Sequence, residues 1–324
     1  MVTGLETDSD NSVIRVCFLG TPEFAAQHLE TLLAHPKFKV VGVVTQPDRP
    51  AGRKMQLTPS AVKVVAVKNN LDVLTPENLR KEPDVFEKIK MWNADVAVVV
   101  AFGQILSQPF LDAFPHGAVN VHGSLLPLWR GAAPIQRSIE AGDKVSGVAL
   151  QRMVQKLDAG PIIGERQVVL DEVITATELY NQLSVLGCEL ITTDLVDYVQ
   201  GKITPVVQDE SKVTLAAKIM KEESLIDWST TAEKIHNKVR AFSMGPGTYC
   251  LFQGKRLKIH KTKMLDSGNV GHDGQVNYVD DTSLVIQTGL GLLSLLEVQP
   301  ESKSKMAIQD FLKSVSLKKG DLFV

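Results

Sequence analysis

Asp95-Val96-Ala97-Val98-Val99-Val100-Ala101 opens on one acid and is otherwise unbroken apolar chain. A strand with one wet face alternates in polarity. A run that does not alternate must be covered on both faces, as a central parallel strand is. Before it, Val13 to Leu19 reads as a strand ending at Gly20, and Lys39 to Thr45 as a second, rich in valine. After it, Gly117 to His122 reads as the next. Helices fall between them. One begins near Thr21-Pro22-Glu23, with threonine as cap and proline at the first helical position; others open at Pro59-Ser60-Ala61 and span Ala132 to Ala141. This alternation predicts an α/β fold with a doubly wound, mostly parallel sheet.

Two more strands follow, Val148 to Met153 and Pro161 to Val169. Thr175-Ala176-Thr177-Glu178 has the spacing of a capping box, and the helix behind it sets Leu179, Leu183, Leu186 and Leu190 on one face before ending near Gln200-Gly201. The texture then changes. Residues 202–220 mix proline, charge and short apolar pieces, as a linker does. Beyond Thr231 to Phe242, which has helical spacing, turns at Gly245-Pro246-Gly247, Gly254-Lys255, Asp273-Gly274 and Asp280-Asp281 punctuate short segments, the pattern of a small β-barrel or sandwich. The expected organisation is a disordered extension over 1–12, a first domain over 13–201, a linker over 202–220 and a smaller β domain over 221–324.

With 324 residues the chain has room for one large or two ordinary domains. Its 35 basic and 37 acidic residues nearly cancel, leaving a formal net charge of −2. That balance does not announce a nucleic-acid partner, though a local basic surface can act within a near-neutral whole. Cys17, Cys188 and Cys250 are far apart and lack zinc spacing, so reduced structural thiols and no metal are expected. No apolar run suits a membrane span, and the acidic start (Glu6, Asp8, Asp10) is unlike a secretory signal; a cytoplasmic location is expected.

The chemistry gathers at Asn120-Val121-His122-Gly123-Ser124-Leu125-Leu126-Pro127 and Leu157-Asp158-Ala159-Gly160. Asn120 and His122 are two residues apart at a strand end and so point to one face. Parallel sheets bind ligands beyond the carboxyl ends of their strands. An amide N–H such as that of Asn120 suits a developing oxyanion. The imidazole of His122 can both take and give a proton and suits proton movement. Asp158, on a turn between two later strands, suits an orienting carboxylate that stabilises the charged imidazole. Together they fit acyl transfer to an amine with no serine or cysteine nucleophile. Each piece alone is as readily structural: an Asn-x-His pair caps a strand end, and Asp-x-Gly makes a turn.

The run from Asn120 to Pro127, with Trp129-Arg130-Gly131-Ala132-Ala133-Pro134-Ile135, Gly20-Thr21-Pro22-Glu23-Phe24-Ala25, Gln46 to Arg53, Thr58-Pro59-Ser60, Leu157 to Gly160, and Lys221-Glu222-Glu223 with Ile226-Asp227-Trp228-Ser229, resembles the folate-dependent formyltransferase family. The likeness extends along nearly the whole chain after Val13 and is greatest to the members that formylate methionyl-tRNA. It implies a Rossmann-like catalytic domain with an OB-like C-terminal barrel. It also implies 10-formyltetrahydrofolate as formyl donor, the methionyl α-amino group of initiator tRNA as acceptor, and Asn120, His122 and Asp158 as catalytic residues. The folate would lie beside Ser124, Leu125, Leu126 and Pro127, with backbone around Val100 to Leu106 forming part of the pterin pocket. A nucleotide amino sugar as acceptor, or water, is the alternative within the same fold. A monomer is expected.

For the tRNA, the loop from Asp48 to Lys63 carries Arg49, Arg53, Lys54 and Lys63, placed near the acceptor stem by the resemblance. Arginine can grip phosphate with two parallel bonds. In the C-terminal domain, alternation would put several of Lys255, Arg256, Lys258, Lys261 and Lys263 on one strand face, although charged faces are usually just solvated. Ser243-Met244-Gly245-Pro246 stands where relatives tend to carry an Asn-Pro-Trp-Pro-like turn. His28, inside the first helix, is expected at the surface or core edge.

Overall fold

The computed structural model describes residues 13–51, 55–265 and 271–324. The extension at 1–12, Arg53 and Lys54 lie outside the described residues. The described residues form two compact units, one drawn from the spans 13–131, 147–168 and 180–215 and the other from 132–146, 169–179 and 216–324.

The first unit is built on a seven-stranded sheet. Its strands are β1 (Ile14–Gly20), β2 (Phe38–Val44), β3 (Val73–Leu74), β4 (Val96–Val100), β5 (Ala118–His122), β6 (Val145–Arg152) and β7 (Ile162–Val169), in the spatial order β7-β6-β5-β4-β1-β2-β3. Every residue of β4 is buried, as its unbroken apolar run requires. The first five strands run parallel. The chain steps outward from β1 to β3, then returns to place β4 on the other side of β1. That reversal is the switch point at which such sheets bind ligands. Leu19 is level with Val99, and Val99 with Asn120, so the ends of β1, β4 and β5 open at one edge. β6 runs antiparallel to β5 and sets Gln151 directly opposite Asn120. The reversal comes one strand in from the β7 edge, within a sheet that is otherwise mostly parallel.

Two sequence expectations are corrected in the first helix, α1 (Glu23–Ala34). Thr21 does not cap it: Pro22 takes the cap position, and the Thr21 hydroxyl donates instead to the Phe102 carbonyl at 3.0 Å. His28 is not at the surface or core edge but fully buried. Its Nδ1–H donates to the Phe24 carbonyl at 2.7 Å, and Gly187 leaves room for the ring, since a Cβ there would stand 2.4 Å from Nε2. Burial lowers the His28 pKa to about 4. Other helix signals hold. Ser60 caps α2 (Ala61–Lys68) by accepting from the Lys63 N–H at 3.0 Å. Thr175 and Glu178 form their capping box ahead of α3 (Ala176–Thr192), in which Leu179, Leu183 and Leu190 are buried and Leu186 half-buried.

The second unit carries an antiparallel sheet of β8 (Thr248–Phe252), β9 (Lys255–Leu265), β10 (Val276–Val279), β11 (Leu284–Gln287) and β12 (Leu292–Pro300), ordered β8-β9-β12-β11-β10. The chain end closes it into a barrel, as Phe323 bridges Phe252 on one edge and Leu322 bridges Gln275 on the other. Trp228, Cys250, Ile259, Ile286, Leu293 and Phe311 fill the interior. A bulge in β9 around Lys261 shifts the alternation by one residue. Arg256 and Lys258 before it and Lys261 and Lys263 after it therefore all stay exposed, while Leu257, Ile259 and Thr262 point inward. No helix among the described residues is long and apolar enough to cross a membrane.

Candidate active site

The side chains of Asn120 and His122 leave one face of β5 at its carboxyl end. Asp158 arrives from a turn that leaves β6 at the opposite end of β5, where the Met153 N–H donates to the Ala118 carbonyl at 2.7 Å. The turn folds back, bringing Asp158 Oδ2 to 3.7 Å from His122 Nδ1. Gly160 makes the fold-back possible: a Cβ there would lie 1.7 Å from the Arg152 carbonyl oxygen. Asp158 itself takes a left-handed conformation, φ +47°.

The imidazole is held from its far side. His122 Nε2 lies 2.9 Å from the Trp129 carbonyl. A carbonyl can only accept, so Nε2 carries the hydrogen and Nδ1 is the nitrogen free to take a proton. Nδ1 is the atom that faces Asp158. The carboxylate is fixed in turn: Oδ2 accepts from the Gly131 N–H at 2.9 Å and Oδ1 from the Gln151 amide at 3.2 Å. The side chains of His122 and Asp158 are only 7% and 11% exposed, so solvent screens their interaction little. Asn120, half-buried, makes no side-chain hydrogen bond to any described residue, and its amide is open to a ligand.

The sequence signal found the three polar groups but not their supports. Trp129 and Gly131 act through backbone atoms. Gln151 was findable from its register opposite Asn120; Arg130 and Gln208, which line the turn, lie 78 positions apart and carry no joint signal.

Residues 124–127 form the tight loop after β5. The Ser124 hydroxyl is buried and donates to the Leu128 carbonyl at 2.6 Å. Leu126 is buried, and Leu125 and Pro127 remain half-buried. Beside them the chain after β4 turns at Ala101, φ +46°, and Gly103, φ +83°. Thr21 and Gln46 both donate to the Phe102 carbonyl, and Ile105 is 70% exposed. The N–H groups of Gly103, Gln104 and Ile105 donate to no described residue. Free backbone donors beside apolar side chains fit a flat heterocycle with a polar edge.

Arg49 lies on a short hairpin, Arg49–Ala51 paired with Gln56–Thr58. It is ion-paired to Glu77 at 2.8 Å, and Lys63 to Asp48 at 2.8 Å. No cluster of three or more His, Cys, Asp or Glu side chains suited to a metal is present among the described residues.

The profile of the formyl transferase family matches residues 14–195, and that of the formyl transferase C-terminal domain matches residues 218–316. The chain is 58% identical over 313 residues to methionyl-tRNA formyltransferase of Bdellovibrio bacteriovorus, covering 96% of this chain and 98% of that one. It is 40% identical over 309 residues to methionyl-tRNA formyltransferase of Bacillus subtilis, covering 95% and 97%. Among solved structures it is similar in fold to an N-formyltransferase from Helicobacter canadensis in complex with folinic acid and dTDP-3-aminofucose. The TM-score is 0.65 at 19% identity, over 91% of this chain and all of that one.

Proposed function

Since the chain belongs to the formyl transferase family, we propose that it transfers the formyl group of 10-formyltetrahydrofolate to the α-amino group of methionyl-tRNA. The 58% identity to a methionyl-tRNA formyltransferase over almost the full length of both chains carries this reading. The site geometry supports roles for three residues. The free amine attacks the formyl carbon, and the Asn120 amide N–H stabilises the oxygen as it gains charge. His122 Nδ1 takes the proton that the attacking nitrogen sheds, and Asp158, 3.7 Å away, favours the resulting imidazolium. The same proton goes to the departing folate nitrogen as the carbon–nitrogen bond breaks. The products are formylmethionyl-tRNA and tetrahydrofolate, with no net proton change.

The donor's heterocycle is read as lying between the loop after β4 and Ser124, Leu125, Leu126 and Pro127. The free N–H groups of Gly103 to Ile105 support polar recognition there. Ser124 contributes by shaping its loop, because its hydroxyl is already engaged. Arg49, Arg53 and Lys54 are assigned to the tRNA phosphates, as is the exposed basic face of β9. Residues 13–201 form the catalytic domain, 202–220 the linker and 221–324 the tRNA-binding domain in this reading. The enzyme works as a monomer in the cytoplasm on initiator methionyl-tRNA.

The test offers labelled 10-formyltetrahydrofolate to the protein with methionyl-initiator tRNA, a nucleotide amino sugar, or neither. Label in formylmethionyl-tRNA is the expected result. Label in the sugar, or released as formate at the same rate without an acceptor, would replace this reading by one of the alternatives.

A further inference from the structure

Asp158 takes a left-handed backbone conformation that is uncommon outside glycine. Its carbonyl and that of Gly160 converge on a single group, the side-chain nitrogen of Gln208, at 2.8 and 2.6 Å. Two carbonyls can share that position only with a donor. A glutamine amide could present its oxygen there instead, but Arg130 prevents this. Its Nε and Nη2 both donate to Gln208 Oε1, at 3.0 and 2.8 Å, which fixes the amide with its NH2 toward the turn. Arg130 and Gln208 are 3% and 5% exposed, so water cannot substitute for either bond. Glu210 accepts from Arg130 at 2.8 Å and pairs with Lys156, and these cations hold its carboxyl well below the usual range. From the other side, Gln151 accepts from the Gly160 N–H at 3.2 Å and donates to Asp158 Oδ1.

Arg130 is also flanked by the two backbone groups that hold the catalytic pair, the Trp129 carbonyl on His122 and the Gly131 N–H on Asp158. One tripeptide thus touches the imidazole, the carboxylate and the amide that shapes the carboxylate's turn. We infer that Arg130 and Gln208 are positioning residues for the reaction: Arg130 sets the orientation of the Gln208 amide, and Gln208 holds the 158–160 turn so that Asp158 faces His122 Nδ1. This inference rests on the assignment of His122 and Asp158 as the catalytic pair.

Gln208→Glu tests it with little change of shape. The carboxylate still accepts from Arg130 but cannot donate to the two carbonyls. Gln208→Met removes the donor without adding charge and guards against an effect of the new charge or a failure to fold. Formylation of methionyl-tRNA is followed in single turnovers, with tetrahydrofolate affinity and circular dichroism measured alongside. Each variant is expected to slow the chemical step by about 10- to 100-fold, the cost of a misplaced catalytic group. Tetrahydrofolate affinity and the KM for tRNA should stay within about threefold. In an Asp158→Ala background, either substitution should slow the reaction no further, because its route of action is already gone. An equal loss in that background, a loss confined to binding, or a chemical step within about twofold of wild type would overturn the inference. Near-wild-type turnover of Asp158→Ala itself would instead overturn the catalytic assignment beneath it.

Discussion

The strand-end site and the hairpin that pairs Arg49–Ala51 with Gln56–Thr58 hold their polar side chains in opposite ways. At the site, the His122 and Asp158 side chains are 7% and 11% exposed, and each polar atom is aimed by a named partner. On the hairpin, Arg49 and Glu77 pair at 2.8 Å while 60% and 69% exposed. An exposed pair is screened by water and salt and contributes little. A buried pair cannot be screened, and misplacing one member leaves the other without compensation. The difference suits two tasks. Moving a proton needs one fixed geometry, whereas gripping phosphates needs charge that can exchange one anionic partner for another.

The largest effect is expected from removing the imidazole. His122→Ala should lower kcat by about 1,000-fold, within the range for loss of a positioned acid–base group, with KM for either substrate little changed. Steady-state kinetics would show it; a comparable loss from a single hairpin substitution would erase the contrast.

The turn that delivers Asp158 comes next. Gly160→Ala would put a methyl group 1.7 Å from the Arg152 carbonyl oxygen. Denaturant unfolding should register a loss of roughly 3 kcal/mol, together with a fall in kcat. An unchanged midpoint would mean the turn relaxes easily and is not held as argued.

Burial also makes the first unit sensitive to acid. Folded His28 has its pKa lowered from 6.5 to about 4. Below pH 6.5 the unfolded chain takes up a proton that the folded chain refuses. Stability contributed by the neutral ring is therefore present above the unfolded value and falls as the pH drops toward 4, by about 3 kcal/mol in all. His28→Leu should flatten that part of the stability profile; an unchanged slope in the variant would assign it to other groups.

The smallest effect is expected on the hairpin. Arg49→Ala should raise the KM for tRNA about threefold at low salt and reduce the salt slope by about 1, leaving kcat alone. A change in kcat with no change in salt dependence would place Arg49 in the chemistry rather than the grip.

The regular scaffold was the readable part of the chain. The valine run of β4 declared a strand covered on both faces. Strand parity put Asn120 and His122 together, Pro59-Ser60-Ala61 marked a helix opening, and the Thr175–Glu178 box announced its helix by capping chemistry. The unreadable part was polar and non-local. Thr21 has the composition of a cap, yet its hydroxyl goes to Phe102, 81 positions away. His28 reads as a surface or core-edge residue because nothing local records that Gly187 admits its ring. The partners of His122 and Asp158 on the 129–131 segment are backbone atoms, which any residue type supplies. Side-chain chemistry names the candidate groups, but what aims them depends on where the chain returns.

Asp158 is expected to serve the chemical step through His122 rather than the binding of either substrate. Rapid-quench single turnovers of Asp158→Asn, saturated with 10-formyltetrahydrofolate and methionyl-tRNA, test it most directly. The expected result is a chemical step slower by about 1,000-fold with both affinities within about threefold of wild type. A chemical step close to wild type, or a loss that saturating substrate restores, would contradict it.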